Sequence, residues 1–537
     1  MTTRRRRSEL QRLLLDSAER APDAVAYGPA RQPVRYGPLA LRAARVAGTL
    51  REAGVRRGGR VTIALDGCVE YVVAYYGVLM AGAVVVPVSP DTRGRALSRV
   101  LDHSESTVLI APGSVLAHLA DPRSLLPGLR AVLSAGAPVG ALPPSVELVD
   151  LEDAQRDGVA LFNGASGDSD LACIQYTSGT SGGPKGVMLS HRNVVSNVRA
   201  VIEYLELRAE DRLAMVLPYH YVYGSSVLHT HLAVGGSIVQ AGTTAFPVRV
   251  LETAQDEGCT GLSGVPSTFA ALLRVGDPGR FDMSRLRYLT QAGGPMNQAL
   301  AARVRAAFPR AKLFVMYGQT EASARLSYLP PEDLDRKPGS VGVPVRGVAI
   351  SVVDATGRPV RPGTLGEVIA TGSNVMMGYL REPAATRHAL RGGALHTGDI
   401  GFLDRDGYLY ISGRHSEMIS SGGHRIGPQE IEDVVSAMSD VEECAVVGVE
   451  DDMLGQRIVA VVVPRDGRQP DPRAVQRACL DVLPRHKVPS EVRLVADLPR
   501  SDRGKLLRTV VRARLEAEAA GDLAPEPASV SERDTAI

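Results

Sequence analysis

"YTSGTSGGPKGVMLSHRNV", Tyr176 to Val194, is the stretch from which the rest of the chain is read. Seven consecutive residues, Thr177 to Gly183, are small or hydroxylated, and Pro184, Lys185 and Gly186 follow. A strand-like apolar run, "LACIQY", precedes them, and a helix-start pattern comes after. Gly179 and Gly182 let the backbone approach a ligand and adopt positive φ, so that successive N–H groups converge. The hydroxyls of Thr177, Ser178, Thr180 and Ser181 add short-range donors, and Lys185 adds a mobile cation. Such a surface suits a polyphosphate. It is not a Walker-type loop, because Pro184 stands where that pattern needs glycine before lysine.

The chain around this loop has 537 residues, too many for one core, so two or more domains are expected. A net charge of +2 gives no general reason to expect nucleic acid or a membrane surface as partner. No apolar run reaches the roughly 18 to 20 residues a membrane helix needs. The start, "MTTRRRRSEL", leads into an amphipathic segment rather than an apolar signal core, and Arg4 to Arg7 read as a solvated tail. Cys68, Cys173, Cys259, Cys444 and Cys479 are scattered without disulfide or metal-site spacing, which fits a reducing, cytoplasmic setting. With neither HExxH nor paired CxxC, no structural zinc is expected.

Only five lysines occur, at 185, 312, 337, 487 and 505, while arginine supplies the other 56 of 61 basic residues. A compact ammonium is retained where a forked guanidinium would serve less well. Lys185 and Lys505 both adjoin glycine in loop-like stretches.

Residues 8 to 135 alternate helical and strand-like patterns. Tyr36 to Val55 has apolar residues at helical spacing with Gly54 as a stop. "RVTIALDG" reads as a buried strand, and "VEYVVAYYGVLMAGAVVVPV" as a helix followed by a strand. The pattern recurs through "DRLAMVLP", "GGSIVQAG", "CTGLSGVP" and "AKLFVMYG", which predicts an α/β fold of layered, largely parallel sheets. From about residue 345 to 413 short strands with Gly/Pro turns predict a β-rich subdomain of a large N-terminal domain spanning 8–413. A separate small α+β module is expected over 417–518, with the helical stretch Pro472 to Leu483 inside it. The polar, Pro-containing residues 519–537 are expected to be a disordered tail.

The opening motif resembles the phosphate-loop signature of the adenylate-forming superfamily, which includes acyl- and aryl-CoA ligases, stand-alone adenylation domains and beetle luciferase. Further matches follow in the family's order: "YGQTEAS" (317–323), "GSVGVP" (339–344), "GEVIATG" (366–372), "HTGDIG" (396–401), "ISGRHSEMISSGGHRIGPQEIE" (411–432) and "LPRSDRGKLLR" (498–508). The resemblance implies two half-reactions. A carboxylate attacks the α-phosphorus of ATP, giving acyl-AMP and pyrophosphate; a nucleophile, usually the thiol of CoA or of a carrier protein's phosphopantetheine arm, then displaces AMP. The first step brings two anions together, so catalysis must neutralise and position charge.

The matched residues take roles in those terms. Lys185 and the loop hold phosphates, Glu321 is a hard oxygen ligand for Mg²⁺, and Thr320 offers a hydroxyl to the α-phosphate. The alternative for Glu321 is a carboxylate on a helix's first turn. Tyr317 stacks on adenine beside Gly318, Gly293 and Gly294 line the nucleotide site, Asp399 accepts the ribose hydroxyls, and Arg414 contacts ribose or phosphate. Lys505 reaches the acyl and α-phosphate oxygens. In the family the small domain rotates about a hinge two residues after the motif arginine. Here the hinge falls at 414–416, with Ser416 where Asp or Lys is usual. After rotation "SSGGHR" (420–425) would approach the acceptor, Gly422 and Gly423 permitting close passage.

"LPYHYVYGSSVLHTHLAVGG" (217–236) resembles the entrance to the acyl pocket. No acidic residue occurs between Arg212 and Glu252 to pair with a substrate ammonium, which disfavours an α-amino acid. The family's gate histidine aligns with Tyr221, one place after His220. Val222, Tyr223, Val227 and Met316 are expected pocket walls, and Met316, where many relatives have glycine, would shorten the pocket. That favours a compact aryl or short acyl acid. His229 and His231 are expected on a helix surface or hydrogen-bonded internally. Two alternatives stand beside the acid:thiol ligase: transfer of the acyl group to an amine or other small nucleophile, and a non-catalytic nucleotide-binding protein on the same fold. The expected protein is a cytoplasmic monomer or homodimer with no nucleic-acid or membrane partner.

Overall fold

The computed structural model describes residues 9–520 apart from 66, 117–127, 138–141, 143, 163–165, 178–184, 276–277, 416, 422–423, 452 and 501–505. The Arg4–Arg7 tail, Ser416, Gly422, Gly423 and residues 521–537 therefore lie outside the described residues. Ala519 and Ala520, assigned from sequence to the terminal tail, instead close the helix Arg508–Ala520. Its last turns read "LEAEAA", residues of high helix propensity.

Two sheets dominate. One has eight strands, ordered Gly378–Tyr379, Lys185–Ser190, Leu171–Thr177, Val84–Pro87, Arg60–Ile63, Ser106–Pro112, Ala131–Ala135 and Glu147–Asp150. The other has nine, with a parallel centre formed by Ser237–Gln240, Arg212–Met215, Gly261–Gly264, Tyr288–Gln291 and Lys312–Tyr317. The expected layered α/β architecture is met, though the nine-stranded sheet has antiparallel strands at both ends and the eight-stranded sheet at one. Between them lie the helices Tyr36–Glu52, Val69–Met80, His191–Leu205 and Val222–Val234, whose side chains share one core with both sheets.

The sequence explains this layering. In Arg212–Met215 alternate side chains face opposite ways: Leu213 and Met215 join the core between the sheets, and Ala214 joins an outer core. Outer helices Gly94–Ser104 and Pro247–Asp256 carry one apolar face each and cover the far sides of the sheets. Val69–Met80, "VEYVVAYYGVLM", is apolar all round, and every residue from Tyr71 to Met80 is buried. Each buried valine, leucine or methionine among them contributes about 1.5–3 kcal/mol relative to exposure.

The expected β-rich segment forms an antiparallel sheet of Val348–Val353, Gly366–Gly372, Ala394–Leu403, Leu390–Arg391 and Leu409–Arg414. From Ile419 onward the chain builds a sheet of its own, centred on the long hairpin Val441–Asp451 and Gly455–Pro464. Helices Pro428–Ser436 and Pro472–Val482 cover one side of that hairpin, and Arg508–Ala520 covers the other.

Candidate active site

The opening motif is a hairpin. Leu171–Thr177 pairs antiparallel with Lys185–Ser190, bringing Thr177 opposite Lys185. Ser178, Gly179, Thr180, Ser181 and Gly182, which come between the two strands in sequence, lie outside the described residues. Ser190 then caps the helix His191–Leu205: its Oγ accepts from the Asn193 N–H at 3.1 Å, and Asn193 Oδ1 accepts from the Ser190 N–H at 2.8 Å. The motif thus joins a strand to a helix start, as its pattern implies.

Lys185 sits beside a residue that sequence reasoning missed. Gly378–Tyr379 is a two-residue strand added to the edge of the hairpin, with Tyr379 opposite Val187. The Tyr379 ring lies 5.4 Å from Lys185 Nζ, and its hydroxyl donates to Glu321 Oε1 at 2.8 Å. Burial, then the Glu321 charge, pushes the Tyr379 phenol up, so it stays a donor. Glu321 belongs to the tight turn Thr320–Ala322 that follows the strand Lys312–Tyr317, and the Met376 N–H holds its carbonyl at 2.8 Å. Lys185, Thr320 and Glu321, distant in sequence, come into one neighbourhood.

A second cluster adjoins it. Tyr317, at the carboxyl end of its strand, donates its hydroxyl to Asp399 Oδ2 at 2.5 Å. Asp399 is buried and directly opposite Arg414 on the neighbouring strand, whose Nε is 3.3 Å from Oδ1. The Asp399 charge, with Glu321 contributing less, raises the Arg414 guanidinium further above its usual range. Between Tyr317 and the turn, Gly318 admits no side chain: a Cβ there would lie 2.0 Å from the Ala324 carbonyl oxygen.

Gly293 and Gly294 follow the strand Tyr288–Gln291, Gly293 in the left-handed region at φ 85°. They line a cleft whose opposite wall comes from the C-terminal module: Gln429, Asp433, Leu506 and Arg508. Arg274 of the large part pairs with Glu442 of the small at 3.0 Å across this junction. Lys505 lies outside the described residues; its neighbour Leu506 borders the cleft.

The expected acyl-pocket residues gather around the start of the helix Val222–Val234. Tyr221 precedes it, its ring 4.1 Å from that of His220. Tyr223 is buried, its hydroxyl 2.9 Å from both the carbonyl and Oγ1 of Thr290. Val227 and Met316 are buried in the same core. Val222 lines a small cavity with Ser226, His229 and Ser323. His229 and His231 are fully buried, so of the two expectations the helix surface is corrected and the internal hydrogen bond is met: every residue from Tyr223 to Leu232 of this helix is buried between the sheets. Both are hydrogen-bonded. His231 Nδ1 lies 2.8 Å from the Val227 carbonyl and must donate, so Nε2 accepts from the Tyr288 hydroxyl at 2.6 Å. His229 Nδ1 is 3.0 Å from the Tyr76 hydroxyl, and burial lowers its pKa to about 3.

Residues 14–380 match the family described as AMP-binding enzyme, and residues 430–505 match the AMP-binding enzyme C-terminal domain. The chain belongs to the AMP-binding enzyme family. It is 33% identical over 500 residues to the feruloyl-CoA synthase of Amycolatopsis sp, covering 93% of this chain and 97% of that protein. The crystal structure of ATP-bound MatB from Rhodopseudomonas palustris matches with a TM-score of 0.85 at 29% identity, over 95% of this chain and 99% of that one. The anthranilate CoA ligase AuaEII, solved with anthranoyl-AMP, matches with a TM-score of 0.88 at 25% identity, over 95% and 98%. The adenylate-forming resemblance, and with it the expectation of an AMP-forming acid:thiol ligase that uses ATP, is met. Among the described residues no helix is long and apolar enough to cross a membrane.

Proposed function

We propose that this enzyme activates a compact aryl or short acyl carboxylic acid as its acyl-adenylate and transfers the acyl group to the thiol of CoA. The observation that carries the reading is the adjacency of two charged clusters, Lys185–Tyr379–Glu321 and Tyr317–Asp399–Arg414, beside the glycine- and hydroxyl-rich motif. A nucleotide spanning both would have its ribose hydroxyls at Asp399 and its phosphates between Lys185 and Thr320. The names of the feruloyl-CoA synthase and the anthranilate CoA ligase support an aryl acid, and a pocket approach without an acidic side chain speaks against an α-amino acid.

In the first half-reaction a carboxylate oxygen of the acid bonds to the α-phosphorus while the bond to the pyrophosphate oxygen breaks. Lys185 offsets negative charge on the departing phosphates, and Thr320 donates to the α-phosphate. Lys505, from the small module, adds a point cation at the acyl and α-phosphate oxygens. Glu321 suits Mg²⁺: Tyr379 donates to Oε1 alone, and Oε2 has no protein donor among the described residues. Among those residues no cluster of three or more His, Cys, Asp or Glu side chains could hold a metal by itself, so a cation here would depend on the nucleotide for its other ligands. Bound there, Mg²⁺ supplies charge neutralisation to the phosphates.

In the second half-reaction the thiol sulfur bonds to the acyl carbon, AMP leaves, and the thiol proton goes to solvent. Rotation of the small module about 414–416 would exchange Lys505 for the 420–425 segment near the acyl carbon. A carrier-protein arm presents the same thiol and is the second acceptor to test. The five free cysteines, four of them buried, support a reducing, cytoplasmic setting.

Pyrophosphate release, screened over aryl, short acyl and amino acids and followed by mass spectrometry with CoA, carrier protein and amines, tests this reading. Acid-dependent release and a CoA thioester are expected. An amide product would replace the thiol by an amine acceptor; ATP binding without cleavage for every acid would refute catalysis.

A further inference from the structure

Two cationic side chains are buried among the described residues, Lys337 and Arg325. Lys337 has Asp404 at 2.7 Å. Arg325, 2% exposed, has no carboxylate partner among the described residues. Its Nε faces Met316 Sδ at 3.2 Å, its Nη1 faces the Ala324 carbonyl at 3.3 Å, and Cζ lies 4.1 Å from the centre of the Tyr223 ring. A thioether, a neighbouring carbonyl and an aromatic face compensate a buried guanidinium only in part.

The backbone that carries this side chain is held firmly. Asn197 Nδ2 and Asn374 Nδ2 both donate to the Arg325 carbonyl, at 2.8 and 3.0 Å. Asn374 also donates to the Ala322 carbonyl at 3.0 Å, and Ser323 Oγ donates to the Asn374 carbonyl at 2.7 Å. Ser323 and Ala324 have φ of 54° and 103°, conformations that L-residues adopt only when their surroundings impose them. A strained, clamped turn presents a fixed cation.

The place is the acyl side of the proposed site. Arg325 follows directly on the Thr320–Ala322 turn and stacks on Tyr223 at the start of the helix Val222–Val234. Hydroxyls of Tyr223, Thr290 and Ser263 form a chain there, Thr290 Oγ1 donating to Ser263 Oγ at 2.7 Å. These groups stand where the parallel strands Gly261–Gly264, Tyr288–Gln291 and Lys312–Tyr317 end, the usual position of ligands in such sheets.

Building on the ligase reading, we propose that Arg325 is a specificity-determining residue which selects acids bearing a second anionic group, a carboxylate or sulfonate, remote from the carboxylate that is activated. Guanidinium matches such a group in two parallel hydrogen bonds, and the second anion replaces the missing protein partner. A site built around a buried polar group rejects an analogue that leaves it unpaired.

Matched acids test this: glutarate against valerate, and terephthalate against 4-methylbenzoate, each read as kcat/KM for pyrophosphate release. The wild type is expected to prefer the dianion at least tenfold in one pair. Arg325→Met should abolish or invert that preference, whereas Arg325→Lys should keep part of it; a purely structural Arg325 would lower both members of a pair alike. If Arg325→Met does not fold, the wild-type ratio and its change in Arg325→Lys decide. Turnover of monoanions without preference for dianions overturns the inference and leaves the ligase reading intact. No pyrophosphate from any acid overturns both.

Discussion

The Tyr379 hydroxyl donates to Glu321 Oε1 at 2.8 Å, so a two-residue edge strand fixes the carboxylate that follows the strand Lys312–Tyr317. A hydrogen bond to a charged group is worth about 1.5–3 kcal/mol. Tyr379→Phe is therefore expected to lower kcat/KM for acid-dependent pyrophosphate release by about 10- to 100-fold and to raise the Mg²⁺ concentration needed for half-maximal rate. Circular dichroism should stay unchanged. Wild-type magnesium dependence in the variant would remove Tyr379 from this role.

Asp399 is held between the Tyr317 hydroxyl and Arg414. Asp399→Asn removes the charge while keeping the shape, and the expected effect is a rise of about tenfold or more in KM for ATP with a smaller change in KM for the acid. Because Asp399 and Arg414 share one network, the double variant Asp399→Asn with Arg414→Gln should lose less than the product of the two single losses. Multiplicative losses would mean that the two act independently.

Acid should destabilise the large N-terminal part. The Leu10 N–H donates to His191 Nδ1 at 3.0 Å, so that nitrogen must be unprotonated, and burial lowers the His191 pKa to about 4. Burial likewise lowers His229 to about 3. Both values lie below the ordinary 6.5, so the unfolded chain binds protons first as the pH falls. Stability present above 6.5 is then lost toward pH 4, with a slope of up to about 1.4 kcal/mol per pH unit for each histidine. Urea midpoints between pH 7 and 4.5 measure the slope, and His229→Gln should flatten it. An unchanged slope in that variant would show that His229 titrates normally.

Much of this architecture is legible in the chain. Tyr36–Glu52 and its stop at Gly54, the all-apolar helix Val69–Met80 and the strand before Tyr317 follow from local periodicity and punctuation. Asp399 and Arg414 were each visible in motifs, although their ion pair depends on strand register that no single motif specifies. Tyr379 was invisible because a two-residue strand has no periodicity, and its partner Val187 lies far away in sequence. Arg325 reads as an ordinary arginine in a chain rich in them; only burial without a carboxylate distinguishes it. For His231 the sequence leaves helix surface and internal hydrogen bond open, because it does not reveal that Tyr288 meets it from the neighbouring sheet.

Lys505 is the clearest probe of the division of labour between the two parts of the chain. Lys505→Ala is expected to slow adenylate formation by about 100-fold or more while leaving CoA-dependent discharge of supplied acyl-AMP within a few-fold of wild type. Single-turnover measurements of each half-reaction separate the two. Equal losses in both would contradict an adenylation-specific role.

The most direct measurement is to mix the enzyme with ATP, Mg²⁺ and an accepted acid in the absence of any thiol, quench, and identify every phosphorus-containing product. Enzyme-bound acyl-AMP and pyrophosphate in equal amounts, with the adenylate discharged to AMP and a thioester when CoA is added, is the predicted result. ADP and inorganic phosphate, or AMP with no acyl-adenylate at any time, would contradict it.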